Sequence, residues 1–561
     1  MDRRTFLKYS LATSVMIWAG DKVPKHLGLE QADIKGLFSI EPAIAAESVF
    51  PQSVASGDPQ PNGITLWTRL APQVSAAKVA IELSTTPSFS GQLLRGVTVT
   101  TDAKQDYTVK ARISSLKLKP FQTYYYRFIY KGVASRTGRF KTLPRPNANI
   151  GKVRFAYVSC QDYTNGYYNA FAYLANEEVD FVVHLGDYIY ETVSDPSFQK
   201  SQVRPIKLPS DRVRAETLED YRFLYKTYKS DPNLQRVHER FAFINIWDDH
   251  EFANDAYRVF DTDSTAQQNN RDPKRRQAAN QAWFEYTPIS VPFNPSKGPL
   301  QSLSIYRSFA FGNLMELVMT DERLYRDGPP CGLETNQRYL TPGCANRTNP
   351  DRTMLGKTQR EWFLDKILKS PRIWKVWGNQ VMVMQLKVLG EFASIVLGKP
   401  TPDLFITLDQ WDGYPTERTQ LLTALRDAQV KNFVTITGDF HTFVAGYQKV
   451  NFDKLLEPPV GVCFMGGSIT SSNVAEKPSF GGSGLSIPPI EQITQVLRAS
   501  NPHVKYFNSA THGYNVIEVT PQALTCTMKA VDTIKKPQAK LNTLKVFRVP
   551  RDQVLIQEVG S

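Results

Sequence analysis

Five segments of the sequence predict a strand that ends in side chains able to bind metal ions. Two of them are "RFAYVSCQDY", residues 154–163, and "DFVVHLGDYIYE", residues 180–191, and each begins apolar and ends polar. Carboxylate oxygens suit hard cations, whereas thiolate, phenolate and imidazole groups favour iron or a similar transition metal. The polar groups at the five strand ends are Cys160 and Asp162, Asp187 and Tyr190, Asp248 with Asp249 and His250, Asn379, and Asp439 with His441.

This set of residue types is suited to the hydrolysis of phosphate esters. A carboxylate such as that of Asp187 can bridge two ions by offering one oxygen to each. Two ions held roughly 3.5–4 Å apart can clamp a phosphoryl group and activate water for in-line attack. His250 directly follows Asp249, and we expect it to protonate the leaving alkoxide or to hydrogen-bond the phosphate.

Several candidates also fit a purely structural role. Cys160 could be an ordinary semi-buried cysteine, and Asp162 competes with it as a ligand but could instead cap a turn. Tyr190 could be a packing residue in a chain with 25 tyrosines. Arg323, at the end of the strand pattern "LMELVMTDE", could contact phosphate or form an ion pair with a nearby acid.

Two histidines lie outside the strand-end clusters, and each could either contribute to the metal site or have a structural role. His184 lies within the apolar strand pattern "FVVHLG", so it is expected in the core or behind the ligands. His512 precedes a late strand and could reach the site.

The strands that position these residues alternate with helices. The patterns "VRFAYVSC", "YYNAFAYLANEEV" and "DFVVHLGD" predict a βαβ unit, and later strand patterns are separated by helical ones such as "TQREWFLDKILKS". Residues 151 to about 450 therefore predict a layered α/β region within a domain of residues 148–561 that ends in a strand-rich extension. Ligands gather at the carboxyl ends of strands in such sheets, so the clusters are expected to converge.

The region before this domain has a different pattern. Residues 48 to about 147 alternate short strand patterns with turns and contain no helical pattern. This is typical of an all-β sandwich of immunoglobulin or fibronectin type, which we place at residues 47–147. At 561 residues, the chain is long enough for two or more domains.

The N-terminus predicts export. "MDRRTFLKYSLATSVMIWAG" carries Arg3 and Arg4 before a short apolar run, the pattern of a twin-arginine signal. Ala43-Ile44-Ala45 offers a cleavage site, which gives a signal peptide over residues 1–46. The pathway carries folded proteins, so a metal can be loaded before export. We expect the twin-arginine machinery as a partner, a periplasmic or extracellular location, and no integral membrane association.

Charge and cysteine content add two expectations. The formal net charge of +13 fits an anionic partner or a generally basic exterior, but no nucleic-acid-binding motif accompanies it, so a stable nucleic-acid complex is not expected. Cys331 and Cys344 flank a loop rich in turn residues and could form a disulfide in an oxidising compartment. Cys463 and Cys526 lie in apolar strand patterns and are expected to be inert.

In combination, these motifs resemble the PhoD-type alkaline phosphatases, which belong to the metallophosphoesterases together with the purple acid phosphatases. The segments that carry the resemblance are "SVASGDP", "LWTRL", "SCQD", "GDYIYE", "DDHEFAND", "GNQ", "DQWDGYP" and "GDFH". The resemblance implies a calcineurin-like, four-layer αββα domain behind the N-terminal sandwich. It also implies ferric iron (Fe3+), one or two calcium ions (Ca2+), and activity on phosphate monoesters and diesters outside the cytoplasm.

The resemblance also implies a role for each matching residue. Cys160 and Tyr190 would bind iron, and Asp187 would bridge iron and calcium. Asp249 and Asp439 would face calcium, where harder oxygen ligands favour that ion over zinc. The remaining assignments are His441 on iron, His250 facing phosphate, and Asn254, Asn379 and Asp248 as weaker members of the calcium shell.

Three functions remain open at this point. The first is a secreted alkaline phosphatase acting as a monomer on mono- and diesters, in the service of phosphate acquisition. The second is a dedicated phosphodiesterase, nuclease or phospholipase D-like enzyme. The third is a non-catalytic surface binding protein whose sandwich serves adhesion.

Overall fold

The computed structural model of the chain describes residues 46–71, 76–90, 92–262, 270–477 and 489–561. The predicted signal peptide, residues 1–46, lies outside the described residues except for Ala46. Within these ranges, no helix combines the length and the apolar character needed to cross a membrane.

The strands, numbered in chain order, fall into two groups on either side of residue 150. Those of the N-terminal part are β1 Val54–Gln60, β2 Gly63–Arg69, β3 Ala76–Ser84, β4 Gln92–Asp102, β5 Thr108–Ser114, β6 Thr123–Tyr130, β7 Val133–Ala134 and β8 Gly138–Lys141. The others are β9 Val153–Val158, β10 Phe181–His184, β11 Ala242–Asn245, β12 Arg307–Phe311, β13 Met315–Met319, β14 Tyr339–Thr341, β15 Trp374–Gly378, β16 Lys387–Val388, β17 Leu404–Thr407, β18 Phe433–Thr437, β19 Phe443–Lys449, β20 Pro459–Met465, β21 Val504–Asn508, β22 His512–Val519, β23 Ala523–Val531, β24 Leu541–Pro550 and β25 Gln557–Gly560.

Residues 46–49 are helical, and the α-helices that are numbered here follow β9 in the chain and alternate with the strands. They are α1 Asn169–Leu174, α2 Leu218–Tyr228, α3 Pro232–Arg240, α4 Pro273–Tyr286, α5 Thr335–Arg338, α6 Lys357–Leu368, α7 Gly390–Leu397, α8 Pro415–Asp427 and α9 Ile490–Ser500. Local signals set their starts. At α3, for example, the Asp231 carboxylate accepts hydrogen bonds from the backbone N–H groups of Asn233 and Leu234, and Pro232 occupies the first helical position.

Two sheets face each other across the main core. One has ten strands in the order β25-β24-β23-β22-β9-β10-β11-β1-β2-β5, and the other has seven in the order β12-β13-β15-β18-β20-β19-β21. The strand β10 is buried along its whole length, as expected for a central strand covered on both faces. Phe181 of β10 stacks on Phe155 of its own sheet and on Phe311 of the other, with ring centroids 5.0 and 4.7 Å away.

Helices cover the two sheets. The helices α1 and α3 pack on strands of the ten-stranded sheet, and α6 and α8 pack on strands of the seven-stranded sheet. The result is a mixed α/β fold with the order helix, sheet, sheet, helix. The strand-rich extension predicted at the C-terminus is part of this arrangement, since β22 pairs with β9 and adds β23, β24 and β25 to the same sheet.

The N-terminal strands pack as two sheets but are joined to the main fold. A separate sheet contains β3, β4, β6, β7 and β8, whereas β1 pairs in parallel with β11, which places β1, β2 and β5 in the ten-stranded sheet. Leu66, Ile81 and Tyr126 belong to the apolar core between them. One sheet therefore contains strands from both sides of residue 147, and the predicted domain boundary there stays a prediction. The immunoglobulin or fibronectin topology stays a prediction.

Parallel pairing brings the predicted ligands to one edge of each sheet. His184 at the end of β10 lies opposite Val158 of β9 and Asn245 of β11. In the other sheet, Gly378 of β15 lies opposite Ile436 of β18. Neighbouring strand ends therefore deliver two sets of side chains to the same region: Cys160, Asp187 and Asp248 from the ten-stranded sheet, and Asn379 and Asp439 from the seven-stranded sheet.

Candidate metal centre

Three overlapping groups of side chains, all buried except the half-buried Asp439, could each hold a cation. They are Cys160, Asp187 and His441; Asp187, Asp249 and His250; and Asp248, Asp249 and Asp439. In each group the ligand atoms lie within 4.8 Å of one another. Asp187 belongs to the first two groups and Asp249 to the last two. The cation positions are therefore adjacent, and a shared carboxylate lies between the first and the second.

Unusual backbone conformations accompany this clustering. Cys160, Asp187, Asp439 and His441 have φ of 58°, 54°, 64° and 52°, in the left-handed region that residues other than glycine rarely occupy. Such strain persists only where surrounding structure stabilises it, and it concentrates at functional sites. Each strand is thus followed by a sharp turn that directs a ligand toward the same region.

Hydrogen bonds hold these turns against one another. The Glu251 carboxylate is buried and accepts backbone N–H bonds from Asp187 at 2.9 Å, Tyr188 at 2.7 Å and Asp248 at 2.7 Å. Gly186 permits the close approach, because its φ is 104° and an added Cβ would lie 2.4 Å from Cβ of Asp248. Glu251 therefore fixes two strand ends relative to each other, and the sequence-based prediction did not assign it any role.

The first group has mixed soft and hard donors. Besides Cys160 and Asp187, it includes Tyr190, whose hydroxyl donates to Oδ2 of Asp187 at 3.0 Å and lies 3.1 Å from Nε2 of His441. Nδ1 of His441 donates to the Ser472 carbonyl at 2.7 Å, which leaves Nε2 free to act as a ligand. Burial lowers the pKa of His441 to about 3 and so keeps its ring neutral. Sulfur, phenol, carboxylate and imidazole together suit iron.

The second group and the neighbouring third group contain carboxylate oxygens that accept no hydrogen bond. Among the described residues, these buried atoms are Oδ1 of Asp249, which lies 3.4 Å from the Arg323 guanidinium, and Oδ2 of Asp248, which belongs to the third group. Within the second group, burial raises the pKa of Asp187 well above the ordinary range, and neighbouring carboxylates add to the shift. Burial would also raise the pKa of Asp249, but the charges of Arg323 and His250 hold it below the ordinary value. Buried carboxylates in such proximity are costly unless a cation compensates their charge. The donor set therefore fits a hard ion such as calcium.

Arg323 neutralises the third group. Its side chain is fully buried, and its guanidinium contacts Asp248, donates to Asp409 and Asp439 at 2.7 Å each, and lies 3.4 Å from Asp249. Of the two roles that the sequence left open for Arg323, the structure favours the ion pair over a phosphate contact. The Arg323 guanidinium already supplies a positive charge to the third group, so the first two groups are the better metal sites.

His250 is held by a residue that the sequence-based prediction passed over. Its Nδ1 lies 2.7 Å from Oε2 of the fully buried Glu191, whose Oε1 accepts the backbone N–H of Asn254 at 2.8 Å. Burial alone would lower the pKa of His250, but the carboxylates of Glu191 and Asp187 raise it well above its ordinary value. These carboxylates thus favour the protonated ring, the form that a general acid requires. The signal for Glu191 was its position in "GDYIYE", directly after Tyr190.

Three weaker candidates have different surroundings. Asp162 caps a turn, since its carboxylate accepts Thr164 N–H at 2.9 Å and Gln199 Nε2–H at 3.1 Å, and it belongs to none of the three groups. Oδ1 of Asn379 accepts Trp411 Nε1–H at 3.2 Å. Asn254 lines the cavity described below. The structure thus favours the turn-capping role for Asp162.

A cavity of about 250 Å³ opens onto the groups. Asp187, Asp249, His250, Asp439 and His441 line it, together with residues that sequence reasoning did not assign. These include Ser197, Phe198, Asp255, Thr335, Arg338, Tyr339, Ile406, Thr407, Asp409, Gln410, Phe440, Ser472, Val474 and Lys477. Asp255, Asp409, Gln410 and Phe440 lie within the segments "DDHEFAND", "DQWDGYP" and "GDFH", although no role was assigned to them. The other residues of this list lie outside the quoted motifs and come from segments that are distant in sequence.

A disulfide crosslinks the loop that forms one wall of this cavity. Cys331 and Cys344 are bonded and close a loop that contains Thr335, Arg338 and Tyr339. Among the described residues, Cys160, Cys463 and Cys526 are free and buried. Cys160 is thus the free thiol at the metal groups.

The two histidines left open by the sequence do not supply ligands to the three groups. His184 is buried behind them, where its Nε2 lies 3.2 Å from Oε1 of Gln161 and burial lowers its pKa to about 3. His512 lies 3.0 Å from Glu476 and 2.9 Å from Ser468. Both therefore support neighbouring segments.

A two-sheet α/β fold with clustered metal-ligand side chains at its strand ends is the arrangement expected of a metallophosphoesterase. Residues 155–528 match the family model described as PhoD-like phosphatase, and residues 38–144 match that of its N-terminal domain. The chain therefore belongs to the PhoD-like phosphatase family and is a phosphoric ester hydrolase.

Individual relatives agree with this assignment. The chain is 32% identical over 570 residues to alkaline phosphatase D of Bacillus subtilis (strain 168), which covers 100% of this chain and 89% of the relative. A solved structure titled "Structure of PhoD" matches with a TM-score of 0.80 and 30% identity over 92% of each chain. A purple acid phosphatase from yellow lupin (Lupinus luteus) seeds aligns with a TM-score of 0.49 and 11% identity, over 89% of this chain and 74% of that one. This last likeness is too weak to add to the assignment.

Proposed function

We propose that the protein is a secreted alkaline phosphatase that hydrolyses phosphate mono- and diesters at a binuclear site of ferric iron and calcium. One observation carries this proposal: Asp187 is shared by two adjacent ligand groups of different chemistry. The first offers sulfur, nitrogen and phenol donors and the second mainly carboxylates. The domain would be a calcineurin-like αββα fold behind an immunoglobulin-like sandwich.

The proposed ligands divide between the two ions. Cys160, Tyr190 and His441 would hold iron, Asp249 would hold calcium, and Asp187 would bridge them. Metal ions bound there would polarise the phosphoryl group and lower the pKa of a bound water. Asn254 lines the same cavity and is a further candidate for the calcium shell.

The protein's own groups supply orientation and a proton. The His250 ring lies against the Tyr190 ring at a tilt of 30°, with centroids 4.0 Å apart, and Glu191 fixes its Nδ1. Its other ring nitrogen, Nε2, is thereby left available to the cavity. We assign His250 as the group that protonates the leaving alkoxide or hydrogen-bonds the phosphate.

We also propose export by the twin-arginine pathway to the periplasm or the cell exterior, where the enzyme would act as a monomer in phosphate acquisition. The paired Arg3 and Arg4 before an apolar run support this. A disulfide between Cys331 and Cys344 agrees with an oxidising compartment.

The proposed phosphatase function is tested by measuring both the rate of ester hydrolysis and the metal content of natively exported protein. We expect iron and calcium in each chain and hydrolysis of p-nitrophenyl phosphate. A strong preference for bis-p-nitrophenyl phosphate would instead indicate a dedicated phosphodiesterase, nuclease or phospholipase D-like enzyme. No hydrolysis of either ester by metal-replete protein would overturn the proposal.

A pair of matched variants tests the bridging ligand. Asp187→Asn should lose both metals and activity, whereas Asp162→Asn changes a nearby buried carboxylate outside the three groups and should keep both metals. Equal metal content in the two variants would contradict a bridging role for Asp187.

A further inference from the structure

Among the described residues that line the cavity, one lysine or arginine side chain takes part in neither the metal groups nor an ion pair. The lysine and arginine residues of the cavity are Arg338 and Lys477. The Arg338 guanidinium contacts Asp255 and donates to Thr262 Oγ1 at 3.0 Å. For Nζ of Lys477, the described part of the chain shows neither a carboxylate within 4.0 Å nor a hydrogen bond. Of these two described side chains, Lys477 is therefore the one still open to a ligand.

The turn that carries Lys477 is firmly anchored. Oε2 of Glu476 accepts a hydrogen bond from Nε2 of His512 at 3.0 Å, and Nδ1 of His512 lies 2.9 Å from Ser468 Oγ. The backbone N–H of Val474 donates to Ser509 Oγ at 3.1 Å. This anchoring gives His512 a function, since it fixes one wall of the cavity.

The same turn is coupled to the first metal group. The turn covers residues 472–477, and the backbone carbonyl of Ser472 accepts the Nδ1–H of His441 at 2.7 Å. Ser472, Val474 and Lys477 all line the cavity beside the ligands. The position of Lys477 is thus set relative to the candidate metal ligands.

The charge environment of Lys477 points to an anion. The residue is half-buried, and burial lowers its pKa, while Asp439 and Asp255 act in the opposite direction. A partly desolvated ammonium group that lacks a bonded acid is stabilised when an anion binds beside it. Its location places that anion in the same cavity as the metal ligands.

We propose that Lys477 is a substrate-binding residue whose ammonium group contacts a non-bridging oxygen of the phosphate ester held at the metal centre. The inference rests on the proposed function and adds a basis for its substrate preference. A monoester carries two negative charges at alkaline pH and a diester one. Lys477 should therefore contribute more to the binding of monoesters.

Steady-state kinetics of Lys477→Gln test this contact. We expect KM for p-nitrophenyl phosphate to rise about tenfold, as for the loss of one charge-assisted hydrogen bond, with a smaller rise for bis-p-nitrophenyl phosphate. Iron content, calcium content and melting temperature should not change. Lys477→Arg should restore most of the affinity. Lys505→Gln, which removes an exposed charge on β21, serves as the matched control and should behave as the parent protein.

Titration with inorganic phosphate makes the test independent of turnover. The Kd for phosphate should rise about tenfold in Lys477→Gln and stay unchanged in Lys505→Gln. Equal KM and Kd values in the parent and Lys477→Gln would overturn the inference. If the parent hydrolysed neither ester, the proposed function would fail, and the phosphate titration would still decide whether Lys477 binds the anion.

Discussion

Oε2 of Glu191 lies 2.7 Å from Nδ1 of His250, although the two residues are 59 positions apart in the chain. Glu191 is fully buried, and its second oxygen is occupied by the backbone N–H of Asn254. The carboxylate therefore holds the imidazole in one orientation and favours its protonated form. Glu191 is a positioning residue, because it acts through His250.

The first prediction concerns this contact. Glu191→Gln keeps the shape of the side chain but removes its charge, so kcat should fall about tenfold to a hundredfold with little change in metal content. The Glu191 carboxylate raises the pKa of His250, so its removal should lower that pKa. The alkaline limb of the pH–rate profile, where the general acid loses its proton, should therefore shift to lower pH. A pH–rate profile measures this. An unshifted profile together with a lowered kcat would leave Glu191 with a packing role only.

His250 itself should matter for turnover more than for metal binding. His250→Ala should lower kcat by roughly 10²–10⁴-fold, the range expected for the loss of a general acid. Iron and calcium per chain, measured by elemental analysis, should stay near parent values. A proportional loss of metal would instead make His250 a ligand, which its membership of the second group also permits.

Colour should report the first metal group. Thiolate or phenolate bound to ferric iron gives a visible charge-transfer band, so Tyr190→Phe and Cys160→Ser should weaken or shift it. Tyr188→Phe and Cys526→Ser are matched controls, because both residues are buried, the Tyr188 hydroxyl bonds to His238, and Cys526 lies in β23. Retention of iron and full colour in both test variants would show that the ligand assignment is wrong.

Calcium should be needed for turnover but not for iron retention. Excess EGTA should abolish hydrolysis of p-nitrophenyl phosphate while the visible band persists, since the second group consists largely of exchangeable oxygen donors. Added calcium should restore the rate. Full activity in excess EGTA would exclude catalysis by calcium.

Much of the candidate site could be predicted because its residues follow strands in the sequence. The apolar run of β10 leads to Asp187, and that of β18 leads to Asp439, so each ligand is marked by a local pattern. Parallel strands then place their ends at one edge of a sheet. Predictions of this kind depend on neighbouring residues in the sequence and need no knowledge of distant contacts.

The partners of these residues could not be predicted in the same way. Arg323 contacts four aspartates, and the sequence shows only that acids are present. The ion pair needs loops after β11, β13, β17 and β18 to meet, which depends on how two sheets pack. The N-terminal part gives a similar case. Its strand patterns were recognisable, but the pairing of β1 with β11 is a long-range contact that no local pattern encodes.

The sequence by itself determined where strands end, which metal-capable residues follow them, and which family the motifs resemble, because these features depend on neighbouring residues. Only the tertiary structure decided that Glu191 faces His250, that Arg323 neutralises one acidic group, and that Lys477 lines the cavity. The physical reason is that a charge acts on groups a few ångströms away in space. Those distances are set when the two sheets and their loops pack together.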